Sequence, residues 1–520
     1  MSQTSDNNKR IAKNTLLLYF RMLFMMVVSL YTSRVILNAL GVEDFGIYNV
    51  VGGFVTMFSF LNTAMSAATQ RFITFSLGKG NKENLKKVFS NCVIAHLIIC
   101  IIVLVLAETI GLWFLYHKMI IPESRMSIAF WVYQCSVIST LILIMSVPYN
   151  ADIIAHEKMS AFAYISIAEV SLKLLIVFLL SWDGIDKLLL YAILLMSVQI
   201  LVRFIYSFYC QKHFVEAKFN KKFDKSILKE MLSFAGWNFF GGMAQMLYTQ
   251  GLNILLNVFF GPVVNAARGI AVQVQYAVTQ FAQSFQMAVN PQITKTYAKG
   301  QLKDMHKLIF YSSKLTFLLL FILSFPIFVE TKFILELWLH VVPNWTVHFL
   351  RIMLCIVVVD SVANPFMTAV AATGKVKLYQ SIIGGIQLLI VPIAYIVLRM
   401  GGNPSMVFIT HLSISIINFM IRLFIIRALI KIKIADYFKK CILKMLYVLL
   451  PSVLIIYLET TILAVDVAGI AMFNIVFSFI IAALFAYYFG LSYNERLMVV
   501  EKIVCKFKQK KQIKCYEKKY

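Results

Sequence analysis

At 520 residues, 60% hydrophobic and only 14% charged, the chain lies outside soluble globular composition, where roughly 25% of residues are charged. Ten prolines and 22 glycines exclude a low-complexity chain. The formal charge of +25 sits in short loops, which points to membrane topology and anionic lipid instead of nucleic acid.

Apolar stretches of about 20 residues, each able to cross a ~30 Å hydrocarbon core, recur along the whole length. Their length favours helices over the ~10-residue strands of a barrel. The fold class is therefore all-α, a polytopic membrane protein. The pattern predicts fourteen spans, at about 15–38, 46–70, 88–112, 127–154, 160–181, 187–210, 232–259, 267–292, 308–329, 348–373, 379–399, 404–427, 442–459 and 468–490. The first reads as a retained span rather than a cleaved signal, because many more follow it.

Alternate loops differ in charge. LGVEDFG, WFLYHKMIIPESR, SWDGIDK, FGPVVN, ETKFILELWLHVVPNW, MGGNP and ETTILAVDVA hold few cations: Lys118, Arg125, Lys187, Lys332 and Arg399. The opposite set, with GKGNKENLKK, QKHFVEAKFNKKFDKSILK, KTYAKGQLKDMHK, RALIKIKIADYFKKCILK and both termini, carries most of the 49 Lys and Arg. The positive-inside rule places both termini in the cytoplasm. No loop is long enough for a soluble catalytic domain. The segment 330–347, with Phe333, Leu337, Trp338 and Trp345, has the pattern of an interfacial helix.

Eight cysteines (Cys92, Cys100, Cys135, Cys210, Cys355, Cys441, Cys505 and Cys515) include no C-x-x-C pair and lie mostly in apolar runs, so neither a metal nor a disulfide is expected.

An internal repeat organises the chain. QRFITFSLGKGNKENLKKVF (70–89) aligns with NPQITKTYAKGQLKDMHKLI (290–309). One constant offset pairs Ile73 with Ile293, Thr74 with Thr294, Lys79 with Lys299, Gly80 with Gly300 and Lys87 with Lys307. Each segment ends an apolar helix and opens a basic loop. The expected domains are a six-helix lobe over 1–215, a second over 216–430, and helices 13–14 with a basic tail over 431–520. A parallel repeat of this kind is transporter architecture, with substrate between lobes and alternating access by rocking.

Polar side chains thread the spans. Asn62, Ser66 and Gln70 in the second span, preceded by Ser59, share one helical face. Gln273, Gln280, Gln283, Gln286 and Asn290 do so in the eighth. Amides facing lipid would be left unsatisfied, so these faces are expected to look onto a lumen or to join helices by hydrogen bonds. Arg21 and Arg34 in the first span, Arg71 closing the second and Arg268 opening the eighth are lumen candidates, since intramembrane charge is costly and marks function. Arg203 and Arg422 lie near span ends and are set aside as snorkelling. Glu169 and Lys173, four residues apart, form an expected intrahelical ion pair, either a structural lock or an ion-coupling element. Asp360, beside the Asn364–Pro365 break, is the best lone acid for ion coupling. His96 and His411 read as interior polar contacts.

GKGN lacks the G-x-x-x-x-G-K-[ST] spacing of a phosphate loop and follows a helix, not a strand. No H-E-x-x-H or G-x-S-x-G occurs. The chain is not expected to be an enzyme or to hold a cofactor, and Na⁺ or H⁺ coupling stays open.

LGVEDFGIYNVVGGFVTMFSFLNTAMSAATQRFI (40–73), G-P-x-x-N-A-A-R (Gly261 to Arg268) and N-P-x-I-T (Asn290 to Thr294) together resemble bacterial polysaccharide flippases, the O-antigen and capsule translocases of the MATE-like MOP superfamily. The resemblance implies two six-helix lobes around a cationic central cavity. It also implies translocation of undecaprenyl-diphosphate-linked sugar across the inner membrane, alongside glycan polymerase and export machinery. Arg pairs bidentately with a diphosphate, and amide stripes suit sugar hydroxyls. Drug-exporting relatives commonly place an acid in the first lobe, whereas the first helix here offers Arg21 and Arg34 and no acid. A multidrug/cation antiporter is the alternative, and a membrane polysaccharide polymerase the reading from another class.

Overall fold

The computed structural model describes residues 2–57, 59–117, 119, 121–180, 186–218, 224–339, 342–462, 468–493 and 495–496; within these, the side chains of 2–13, of several residues between 29 and 61, and of 262, 459–462 and 468 are not described. Among the described residues, eighteen α-helical elements run in the order α1 Ser2–Met57, which is two helices joined across a break at Gly41, α2 Ser59–Lys79, α3 Lys82–Leu106, α4 Leu112–His117, α5 Met126–Ala155, α6 Met159–Leu179, α7 Lys187–His213, α8 Lys225–Phe260 and α9 Pro262–Ala298. They continue as α10 Leu302–Val329, α11 Thr331–Leu339, α12 Thr346–Thr373, α13 Val376–Leu388, α14 Ile390–Arg399, α15 Met406–Ile430, α16 Ile434–Tyr437, α17 Leu443–Ile462 and α18 Ala468–Phe485. No strand occurs among the described residues. The chain is a polytopic all-α membrane protein. Among the described residues, ten helical stretches are long and apolar enough to span; α1, α2, α8 and α9 are more polar and fall outside that set.

Helices overrun the expected spans. Where 267–292 is the apolar window, α9 runs Pro262–Ala298, and α3 begins at Lys82 rather than 88. Hydropathy marks only the lipid-buried middle of a helix. The backbone ladder satisfies its own polar groups beyond that point, so the helix continues into polar sequence. Gly78 and Lys79 are accordingly helical, and the turn comes one residue later at Gly80. The expected interfacial segment forms α11, with Leu337 and Trp338 exposed.

The repeat is written in the backbone. Gly41 and Gly261 both have φ +79°, and Gly80 and Gly300 both have φ +72°. Both pairs are separated by the same offset that aligns the two sequence segments. Left-handed φ is strained for any residue with a Cβ, so glycine marks the same two helix breaks in both halves. Glu157 (φ +59°) and Gly374 (φ +77°), at nearly the same offset, open the next matching pair of helices at Met159 and Val376.

The molecule divides into two compact units. Unit 1 comprises Met1–Gln250, Gln283–Ile309 and Pro365–Ile390; unit 2 comprises Gly251–Ala282, Phe310–Asn364 and Val391–Tyr520. In unit 1, α5 is the central helix, packed on α7, α2, α3 and α1, while α1 lies along α6. A core of Ile47, Val51, Val55, Val132, Tyr133 and Leu188 fills one end. There a π-helical turn at Ala107–Gly111 presents the Ala107 carbonyl to Tyr133, whose hydroxyl donates to it at 2.7 Å. The LGVEDFG turn is tied down by Arg125, which bonds Asp44 at 2.6 Å and also pairs with Asp186.

In unit 2, α17 packs on α18, and Gly490 sits so close to Leu318 of α10 that a Cβ would fall 2.6 Å from its side chain. Lys314 of α10 closes the arrangement with Glu495 at 2.6 Å.

Candidate functional site

Unit 1 has an open cavity of about 400 Å³ lined by α1, α5, α6 and α7. Its polar lining is Tyr48, Ser136, Ser139, Thr140, Lys173 and Gln199, and Gly52 and Ala192 keep it open by lacking bulk. Ser136, Ser139 and Thr140 stand at i, i+3 and i+4 on α5, one face of a helix. Their hydroxyls donate back to the Val132, Cys135 and Ser136 carbonyls at 2.8, 2.7 and 2.9 Å. A hydroxyl that has spent its proton this way offers only lone pairs to the cavity. Lys173 and Gln199 supply donors. Both converge on Glu169 Oε1, Lys173 Nζ at 2.6 Å and Gln199 Nε2 at 3.3 Å. The ion pair expected within α6 therefore exists, and it also reaches α7.

Arg21 joins the same cluster. Its guanidinium lies 4.5 Å from the Phe162 ring of α6, with Glu169 and Tyr206 within electrostatic range. The side chain is half-buried, and its Nε finds no hydrogen-bond acceptor. Two cations, Arg21 and Lys173, thus surround one carboxylate, leaving a net positive group inside the apolar layer. The Arg34 side chain is outside the described residues.

The remaining expected site residues are dispersed. Asn62 is buried with an unpaired Oδ1, while Ser66 and Gln70 are half-buried. Arg71 is buried: its Nε donates to the Ala371 carbonyl at 3.1 Å, Glu230 lies at 3.5 Å, and Phe72 and Phe75 flank it at 4.4 and 4.9 Å. It works as a strut between α2 and α12. Along α9, Gln273 and Gln283 are exposed, Gln280 is half-buried and Gln286 is buried. Asn290 accepts from Thr368 at 3.0 Å, a helix-joining bond. Arg268 of unit 2 donates to Asn253 at 3.2 Å, with His411 in electrostatic range.

Asp360 is not a lone acid. Ser415 donates to it at 3.4 Å, and Arg422 is within electrostatic range. Arg422 is 8% exposed and so does not snorkel; the acid on α12 draws it inward. His96 is an interior contact as expected, its Nδ1 donating to the Cys92 carbonyl at 2.8 Å.

Sequence reasoning missed Tyr48, Ser136, Ser139, Thr140 and Gln199. The S-x-x-S-T spacing on α5 was the available signal, but small hydroxyls are common in membrane helices and acquire meaning only when a cavity opens beside them.

The family model described as polysaccharide biosynthesis protein matches residues 11–297, and that described as MatE matches residues 239–396. No curated protein matches the sequence. Among solved structures, a MATE protein in the straight conformation superposes with a TM-score of 0.70 at 14% identity, covering 82% of this chain and 97% of its own. A multidrug resistance MATE transporter of the MOP superfamily, in an outward-facing conformation, gives 0.69 at 14% identity with the same coverage. A MOP superfamily transporter from Pyrococcus furiosus Vc1, described as having a binding pocket of reversed polarity, gives 0.67 at 15% and covers the same shares. One family model spans more than half of the sequence and the MATE fold covers four-fifths of it, so the chain belongs to the polysaccharide biosynthesis protein family and adopts the MATE fold.

Proposed function

We propose that this protein translocates undecaprenyl-diphosphate-linked oligosaccharide from the cytoplasmic to the periplasmic leaflet of the bacterial inner membrane. The observation that carries the reading is the cationic cluster in unit 1. Arg21 sits in an apolar layer with an unsatisfied guanidinium nitrogen, beside a hydroxyl-lined cavity that holds Lys173. Half-buried cationic donors suit a diphosphate. Hydroxyl lone pairs and the Gln199 amide suit sugar hydroxyls, and family membership supplies the polysaccharide context.

In this reading the lobes over 1–215 and 216–430 rock about the substrate, and 431–520 supports the second. Both termini lie in the cytoplasm, and glycan polymerase and export machinery receive the product. Arg34, Arg268, Asn62, Ser66, Gln70 and the α9 amides are assigned to the substrate route. Glu169–Lys173 and Asp360 are assigned to coupling with Na⁺ or H⁺. The protein acts without catalysis of its own.

The test is transbilayer movement of a fluorescent undecaprenyl-diphosphate oligosaccharide in vesicles holding the purified protein. Wild type moves the label. Arg21→Gln slows movement on the order of ten- to a hundred-fold, corresponding to the ~1.5–3 kcal/mol of a charge-assisted hydrogen bond. Drug-driven cation exchange without lipid movement would instead establish an antiporter and reject the proposal.

A further inference from the structure

A buried group at the basic-loop end of unit 1 is absorbed by none of this. Asp152 lies in the last turn of α5, His156 in the turn that follows, and Glu216 in the segment after α7. Asp152 is fully buried, and neither carboxylate oxygen has a hydrogen-bond partner. Its Oδ1 stands 3.8 Å from His156 Nε2, which lies 2.6 Å from Glu216 Oε1. A buried carboxylate without donors is costly unless a cation or proton compensates it.

We propose that Asp152, His156 and Glu216 form a binding site for one divalent transition-metal ion of the zinc or manganese class. The three ligand atoms lie within 4.8 Å of one another. A tetrahedral ion with bonds of ~2.1 Å needs ligand atoms about 3.4 Å apart, so the Asp–His separation already fits and the His–Glu contact opens by under ~1 Å. Two carboxylates and a neutral imidazole carry a charge of about −2, matched by a divalent ion. Imidazole among the donors selects against Ca²⁺ and Mg²⁺, which take oxygen ligands.

The ring is pre-positioned, since Phe214 stacks on it at 4.1 Å with planes 6° apart. The His156 side chain is 26% exposed, against 0% for Asp152 and 7% for Glu216, so the ion and a completing water enter from its side. The thiol of Cys210 nearby is turned to the Tyr149 carbonyl at 3.5 Å and is not a ligand.

The ion ties the turn after α5 to the segment after α7. The next residue, Glu157, receives Lys295 at 2.9 Å and Gln292 at 3.1 Å from α9. The site thereby holds in place the turn that presents Glu157 to α9. The cysteine pattern gives no hint of this metal because the ligands are carboxylate and imidazole, one from the end of α5, one from the turn after it and the third from beyond α7.

The experiment uses the full-length, tag-free protein in detergent, stripped with chelator and then dialysed against Zn²⁺ or Mn²⁺. Metal content by mass spectrometry and thermal unfolding are read on wild type, Asp152→Asn, His156→Gln and Glu216→Gln. Wild type retains one ion per chain and unfolds several degrees higher with it. At least two of the variants, each shown to be folded by its own unfolding transition, lose both effects. A wild type that retains no ion, or variants that retain it equally, overturns the site. Co²⁺ gives a second readout: its visible absorption must report mixed nitrogen and oxygen ligation in wild type and vanish in His156→Gln.

Discussion

Gly374 shows how one residue can leave room for a buried cation. Its φ is +77°, and a Cβ there would meet Arg71 Nη2 at 2.7 Å. Gly80 has nearly the same φ, +72°, with nothing within 4 Å. Gly80→Ala should therefore cost only the left-handed strain, about 1–2 kcal/mol, whereas Gly374→Ala costs that and the displaced guanidinium as well. Thermal unfolding of the two variants in detergent measures the difference, and equal losses would show that Arg71 yields freely. Asp360→Asn removes the anion facing buried Arg422, and a loss of roughly 1–3 kcal/mol is expected by the same method. Legibility at single positions was uneven. Arg21, Glu169 and Lys173 stood out because charge in an apolar run is conspicuous whatever surrounds it. Arg422 was misjudged because its depth depends on Asp360, which belongs to a different helix.

Helices carry the next layer. Spacing placed the α9 amides on one face, yet their exposures range from buried Gln286 to exposed Gln273. A helix as long as α9 passes several neighbours, and each sets the burial of its own stretch. The docking of the last two spans on α10 was not legible, because Lys314 and Glu495 lie far apart in the chain and meet only in the fold. Burial alone would raise the Glu495 carboxyl, but the Lys314 ammonium and the Ser492 amide hold it below the usual carboxylate range. A depressed folded value means that the contact stabilises fully above the ordinary glutamate pKa, ~4.3, and is lost as pH falls through the folded value. Between about pH 5 and 3, wild type should lose more stability than Glu495→Gln, as read by thermal unfolding across that range. Parallel curves would remove Glu495 from the acid response.

Across the whole chain, the repeat links sequence to motion. Glu157 and Lys295 come from the first and second halves of the sequence and meet at 2.9 Å within unit 1. Alternating access in the proposed flippase requires contacts of this kind to break and re-form. Glu157→Cys combined with Lys295→Cys, bridged by a reducible bis-thiol reagent, should stop lipid movement in vesicles, and reductant should restore it. Undiminished movement in the bridged protein would show that these groups stay together throughout the cycle.

The sequence by itself determined the membrane class, the helical spans, the charge asymmetry of the loops and the internal repeat. All of these follow from local composition and spacing, which the bilayer reads residue by residue. Only the tertiary structure decided which polar groups meet. The Arg21–Glu169–Lys173–Gln199 cluster spans three helices, and the Asp152–His156–Glu216 group joins two chain segments. Cavities and ligand sets arise where distant segments pack, and no local pattern encodes the partner across that gap.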